Sequence, residues 1–145
     1  MEPTAKPSQL RRRSRAREVA FQLLFQHEAN PGVGRPHLER FATERLGDEA
    51  LEQFALALYD GARPAKRWID ELLAAAATNW RVARMAATDR NVLRLGAYEL
   101  LHPSPDTPPA IIISEAVELA KRFGGAESGA FVNGVLDRVR KDADR

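Results

Sequence analysis

Thirteen residues, Asp89 to Leu101 (DRNVLRLGAYELL), leave a chain of this kind few ways to fold. Wound at about 100° per residue, Val92, Leu93, Leu95, Ala97, Tyr98, Leu100 and Leu101 point almost all the way round the axis and leave no wide polar face. A helix apolar on every side belongs in the middle of a bundle. Thr88 is placed to cap it, Asp89 sits in the first turn where a negative charge suits the helix dipole, and His102-Pro103 ends it. Arg94 and Glu99 are carried inside with the apolar residues, and a buried charge needs a counter-charge. Arg94 is expected to meet a carboxylate or helix-end carbonyls and Glu99 a donor, both as structural groups.

The rest of the chain supplies helices to surround that hub. Residues 1–9, with Pro3 and Pro7 among polar neighbours, read as a disordered lead, and residues 10–145 as a single helical domain. From Leu10 to about Ala29, Val19, Ala20, Phe21, Leu23, Leu24 and Phe25 make an apolar arc. Asn30-Pro31-Gly32 breaks that helix, Pro36 starts a second, and Gly47 closes it. Asp48 can cap a third helix, which Gly61 and Pro64 end or kink, and a fourth carries Ile69, Leu72, Leu73 and Ala76. Asn79 precedes a short turn with Trp80, Val82 and Met85. After the hub, the loop HPSPDTPP cannot be helical, Pro109 starts the next helix, and Gly124 stops it. The last helix runs from about Ser128 to Lys141 and buries Phe131, Val132, Val135, Leu136 and Val139. The expected fold is all-α, with about seven helices in two small packed bundles.

Composition excludes several function classes. No apolar run approaches the roughly 18 residues that span a bilayer, no secretory signal opens the chain, and zero cysteines exclude disulfides and thiolate metal sites. A cytoplasmic protein without a membrane partner is the default expectation. His27, His37 and His102 lack the spacing of a ligand pair, neither phosphate-loop signature occurs, and no serine stands in a nucleophile setting. No metal, cofactor or catalytic activity is therefore expected.

Charge is the feature that points to a partner. The net charge of +2 splits into +4 over residues 1–20 and −2 over the remainder. Within the run RRRSRAR, Arg11 with Arg15 and Arg13 with Arg17 are like charges one helical turn apart, a mildly repulsive arrangement that calls for an offset. Arg13 and Arg17 also share the arc of Ala20 and Leu24, so this end must extend beyond the core or meet an anionic partner across its apolar side. Arginine grips phosphates bidentately and stacks on bases, which makes the run a candidate RNA-binding arm. A solvated basic end is the competing reading.

Three segments carry more than composition: RRRSRAREVAFQLLFQ, NWRVARMAATDRNVLRLGAYELL, and IIISEAVELAKRFG followed by FVNGVLDRV. Together they resemble the bacterial transcription antitermination factor NusB family, from about Arg11 to Arg140. The resemblance implies an all-helical, non-catalytic RNA-binding adapter that binds the boxA element of ribosomal RNA leader transcripts together with the ribosomal protein NusE. It further implies assembly with other Nus factors on RNA polymerase. By position it assigns RNA contact to Arg13, Arg15 and Arg17, with Arg11 and Arg12 as neighbours. It adds a second RNA edge at Glu127, Ser128 and Phe131, although Phe131 is equally readable as core, and it puts Asp89 where the family meets its ribosomal partner. Five arginines on single-stranded RNA phosphates would give log K against log salt a slope of about −3.5.

The sequence departs from the family at Ser114, usually Asn, and at Ala130, sometimes basic. Two alternatives are carried beside the adapter. A homodimeric interaction module would hide the basic arm in its interface. An accessory domain like the one ahead of ribosomal RNA cytosine methyltransferases is the other, and a chain ending at Arg145 leaves no room for that cofactor-binding fold.

Overall fold

The computed structural model describes residues 7–144, with side chains from residue 12 onward. Seven α-helices occur among them: α1 (Pro7–Ala29), α2 (Arg35–Leu46), α3 (Glu49–Ala62), α4 (Lys66–Ala76), α5 (Ala87–Leu101), α6 (Pro109–Phe123) and α7 (Ser128–Ala143). Residues 1–6 of the expected lead lie outside the described residues, and α1 starts at Pro7, three residues before the predicted start.

Local chemistry sets most of the boundaries. The Asp48 side chain accepts the Leu51 N–H at 3.0 Å and caps α3. Gly47 closes α2 with φ 62°, a left-handed conformation that favours glycine. Gly124 ends α6 for a different reason: its backbone is extended, and a Cβ there would run into Ser128 Oγ and the Ala120 carbonyl. The predicted cap of α5 is corrected. Ala86 occupies the cap position without a side-chain bond, and Thr88 lies inside the first turn. Arg90 ties the start of α5 to the preceding 3-10 turn (Val82–Arg84), its Nη1 donating to Met85 O at 2.6 Å and to Val82 O at 3.4 Å.

Helix α5 packs against α1, α3, α4, α6 and α7. On one side lies the group α1, α2 and α3, and on the other α4, α6 and α7, so α5 is the shared wall of the two expected bundles. Val92, Leu93, Leu95 and Ala97 are buried, and they join a hydrophobic cluster that runs from Ala16 in α1 to Val139 in α7.

Both charges inside α5 find the partners their burial demands. Arg94 donates to both Asp70 oxygens, at 2.8 and 2.9 Å, and pairs with Glu28, which also pairs with Arg90. The bond from Arg90, opposed by burial and helped by the bond from Arg94, holds the Glu28 carboxyl down at about 2, against 4.5 ordinarily. The stability it contributes is complete above pH 4.5 and is lost as pH falls from 4.5 toward 2. Between about pH 5 and pH 3 the native chain should therefore lose about 2 kcal/mol more than Glu28→Gln does. Urea unfolding at the two pH values measures this, and parallel losses would mean that the pair titrates as if solvated.

Candidate nucleic-acid interface

The basic run occupies the first turns of α1, where three neighbouring elements hold its guanidiniums. Arg12 pairs with Asp48 at the start of α3, and Arg13 pairs with Asp106 in the proline-rich loop between α5 and α6. Arg15 donates to the Arg45 carbonyl in the last turn of α2, at 2.8 Å from Nη2 and 3.2 Å from Nε. Arg12 and Arg15 are exposed and Arg13 is half-buried. The Arg11 side chain lies outside the described residues. These contacts supply the offset that the like-charge spacing of the run requires, and they fix three cations along one edge of the molecule.

Arg17 departs from the expectation. It is 2% exposed, and its Nε donates to both Glu99 oxygens at 2.8 and 3.0 Å. Glu115, which also accepts from Ser14, lies 3.8 Å from Arg17 Nη1. A guanidinium enclosed this way cannot reach a phosphate without opening the core, so Arg17 positions α1 against α5 instead of forming part of the surface. Of the two expectations for its place on the apolar arc, an end beyond the core or an anionic partner, the second holds, and the partner is inside the chain.

Phe54 of α3 adds an aromatic ring to this edge. The Arg13 and Arg17 guanidiniums each lie 5.3 Å from its ring centroid, a cation–π distance. With Arg12, Asp48 and Leu51 the ring lines a small cleft of about 200 Å³ at the basic edge. The Ser104 hydroxyl and the Arg13 guanidinium hold the Asp106 carboxyl down at about 2, so it stays a charged competitor for Arg13 at any ordinary pH. Asp48 is likewise lowered, first by the Leu51 N–H and then by Arg12.

The remaining predicted site residues converge on a second place. Asp89, Glu127, Ser128 and Phe131 line one groove of about 720 Å³, together with Trp80 and Met85. Glu127 is exposed. Ser128 is buried, and its Oγ accepts the Gly125 N–H at 2.9 Å, so it builds the loop ahead of α7 and offers little to a ligand. Phe131 packs on the core cluster, as its core reading expects, and meets Trp80 edge-on, with centroids 5.8 Å apart. Asp89 Oδ1 is buried and has no hydrogen-bond partner among the described residues. On the other flank of this α5 end, Thr88 joins Phe21, Phe25, Phe41 and Phe123 around a hollow of about 370 Å³, where Phe25 and Phe123 are exposed.

Residues 14–141 match the sequence pattern of the NusB family. The chain belongs to the NusB family. It is 47% identical over 133 residues to the transcription antitermination protein NusB of Sorangium cellulosum, spanning 92% of this chain and 94% of that one. Against the NusB of Desulforapulum autotrophicum the identity is 42% over 137 residues, spanning 92% and 95%. Among solved structures it is similar to T. maritima NusB, with a TM-score of 0.77 and 40% identity over 90% of this chain and 91% of that one. It is also similar to a chain from a crystal structure of the antitermination factors NusB and NusE in complex with dsRNA. There the TM-score is 0.80 and the identity 27%, over 91% of this chain and 98% of the other. The NusB match takes in Arg15, Arg17, Asp89, Glu127, Ser128 and Phe131, whereas Arg12 and Arg13 precede it. No helix among the described residues is long and apolar enough to cross a membrane.

Proposed function

We propose that this chain is a transcription antitermination factor that binds the boxA element of ribosomal RNA leader transcripts jointly with the ribosomal protein NusE. As a single helical domain from residue 10 onward, it would bring both to other Nus factors and RNA polymerase and promote transcription of ribosomal RNA. The observation that carries the reading is the edge of three fixed arginines, Arg12, Arg13 and Arg15, on a chain of the NusB family. Its similarity over nine tenths of its length to a NusB crystallised with NusE and dsRNA supports RNA and NusE as the partners.

Phosphate contacts by the arginines would set affinity and register, while bases are read elsewhere on the joint surface. Arg11 belongs with the same edge by sequence. Glu127 and Phe131 form the second RNA edge, with Ser128 holding the loop that carries them. NusE docks at the N-terminal end of α5, next to Asp89, where the exposed rings of Phe25 and Phe123 offer an apolar surface. The role needs no catalytic step and no cofactor, and a protein that acts on nascent transcripts works in the cytoplasm.

The test is fluorescence anisotropy with boxA-type RNA and a scrambled strand, with and without NusE. Partner-enhanced preference for boxA is expected, and equal weak binding to both strands would contradict the reading. Sedimentation of the same samples separates NusE docking from self-association at the aromatic hollow. One consequence concerns Asp106, which an arriving phosphate must displace from Arg13. Asp106→Asn should tighten RNA binding about 2–5-fold, the range expected for releasing a partly exposed ion pair, and an unchanged Kd would mean that Arg13 makes no phosphate contact.

A further inference from the structure

Trp80 is the most exposed of the large hydrophobic residues described, at 57%. A single exposed apolar side chain needs no explanation, but the surroundings of this one are unusual. It stands just before the 3-10 turn with its ring in edge-on contact with Phe131, 5.8 Å between centroids, and with more than half of the residue open to solvent. It belongs to two hollows at once. One is the groove walled by Asp89 and Glu127, and the other, of about 360 Å³, is walled by Asn79, Arg81 and Arg84. Arg81 and Arg84 are exposed and make no ion pair among the described residues. Eight of the described arginines hold a carboxylate, whereas Arg81 and Arg84, like Arg15, Arg40, Arg45, Arg63, Arg67 and Arg140, hold none; Arg81 and Arg84 are the two beside the indole.

A fixed open indole, two uncommitted guanidiniums on one side and two carboxylates on the other fit one ligand chemistry. We infer that Trp80 is a stacking platform for an unpaired base of single-stranded RNA, with Arg81 and Arg84 on the adjoining phosphates. The inference deepens the RNA-binding reading and rests on it. The charges fix the direction of the strand. Phosphates are repelled from the Asp89 and Glu127 wall and drawn to the arginine side, which leaves the base edge facing the carboxylates. Ionised carboxylates only accept hydrogen bonds, so bases with an exocyclic amine, adenine, cytosine and guanine, suit that wall better than uracil with its two carbonyls. None of these residues carries a sequence signature beyond one tryptophan next to one arginine.

Trp68 and Trp80 are the two tryptophans of the chain, so Trp68→Phe leaves Trp80 as the single reporter. Single strands of rA, rC and rU, each about twelve nucleotides long and therefore within the reach of one binding site, are titrated against it. Emission and anisotropy are followed together. The expected result is quenching that saturates with binding and is deeper for rA and rC than for rU. Trp80→Ala should weaken binding by about 5–100-fold, the usual range for one stacked base, and Trp80→Phe should recover most of it. Arg81→Gln/Arg84→Gln should flatten the salt slope by about 1.4. Circular dichroism and the thermal midpoint confirm that these surface variants are folded.

Unchanged emission and an unchanged Kd for Trp80→Ala, in a protein whose RNA binding is lost in Arg12→Gln/Arg13→Gln/Arg15→Gln, would overturn the platform and leave the RNA-binding reading standing. Failure of every strand to bind would overturn both. Quenching by NusE without RNA, and none by RNA, would make Trp80 a protein contact and also overturn it.

Discussion

Glu99→Ala is expected to lower the unfolding free energy by about 3–5 kcal/mol, the range for removing one partner of a buried ion pair. Glu99 is buried, and both its oxygens accept from Arg17, which is more deeply buried still. Without Glu99 the guanidinium keeps the Phe54 ring and, as carboxylate, Glu115 at 3.8 Å, and its Nη1 already lacks a hydrogen-bond partner among the described residues. An uncompensated charge would then sit between α1 and α5, the helix that the two bundles share. Arg17→Met/Glu99→Leu should recover most of the loss, because two apolar side chains of similar volume need neither desolvation nor pairing. Urea unfolding of the three variants measures both effects. A loss below about 1 kcal/mol for Glu99→Ala is the figure for an exposed pair, and it would mean that the pair is open to water.

The same pair marks how far the sequence could be read. Arg17 lies on the arc of Ala20 and Leu24, which called for an end extending beyond the core or an anionic partner across the apolar side, and Glu99 lay on an all-round apolar helix, which required a donor. Each half of the pair was legible; their meeting across 82 residues of chain was not, because no local pattern encodes which helix faces which. The family resemblance counted Arg17 with the RNA-contacting arginines, and packing then withdrew it from the surface. Helix punctuation was more readable: Asp48, Gly47 and Pro36 act as local rules dictate, and Gly124 stops α6 where expected, though through close packing and not a left-handed turn. Thr88 failed as a cap because Ala86 turns the chain one residue before the helix begins, and no side chain answers there.

At the candidate site, the resemblance drew attention to Asp89, Glu127 and Phe131, and the fold brings all three to one groove. Trp80 was seen only as part of a short turn. Its exposure depends on an irregular crossing between α4 and α5 that helical periodicity does not describe. Phe54 repeats the lesson, since its place beneath Arg13 and Arg17 follows from the packing of α1 on α3.

Neutralising the arginine edge should have a comparably large effect on binding. With Arg17 inside, the described arginines of the run that reach the surface are Arg12, Arg13 and Arg15, and three phosphate contacts on single-stranded RNA predict a slope near −2 instead of −3.5. At about 50 mM salt, counterion release from three contacts is worth on the order of a few hundredfold in affinity. Arg12→Gln/Arg13→Gln/Arg15→Gln should lose most of that while keeping its fold, since the pairs it breaks are exposed or half-buried. Charge reversal at the same positions should go further.

The most direct test of the central claim is therefore the affinity for boxA-type RNA between about 50 and 200 mM salt, in the native chain and in Arg12→Gln/Arg13→Gln/Arg15→Gln. The three contacts of the arginine edge alone predict a fall of about 20-fold over that range, and phosphate contacts at Arg81, Arg84 or Arg11 would add to it. The variant should bind far more weakly at low salt, and the two curves should converge as salt rises. Parallel curves of equal slope would contradict it and reduce the basic end of α1 to a solvated surface.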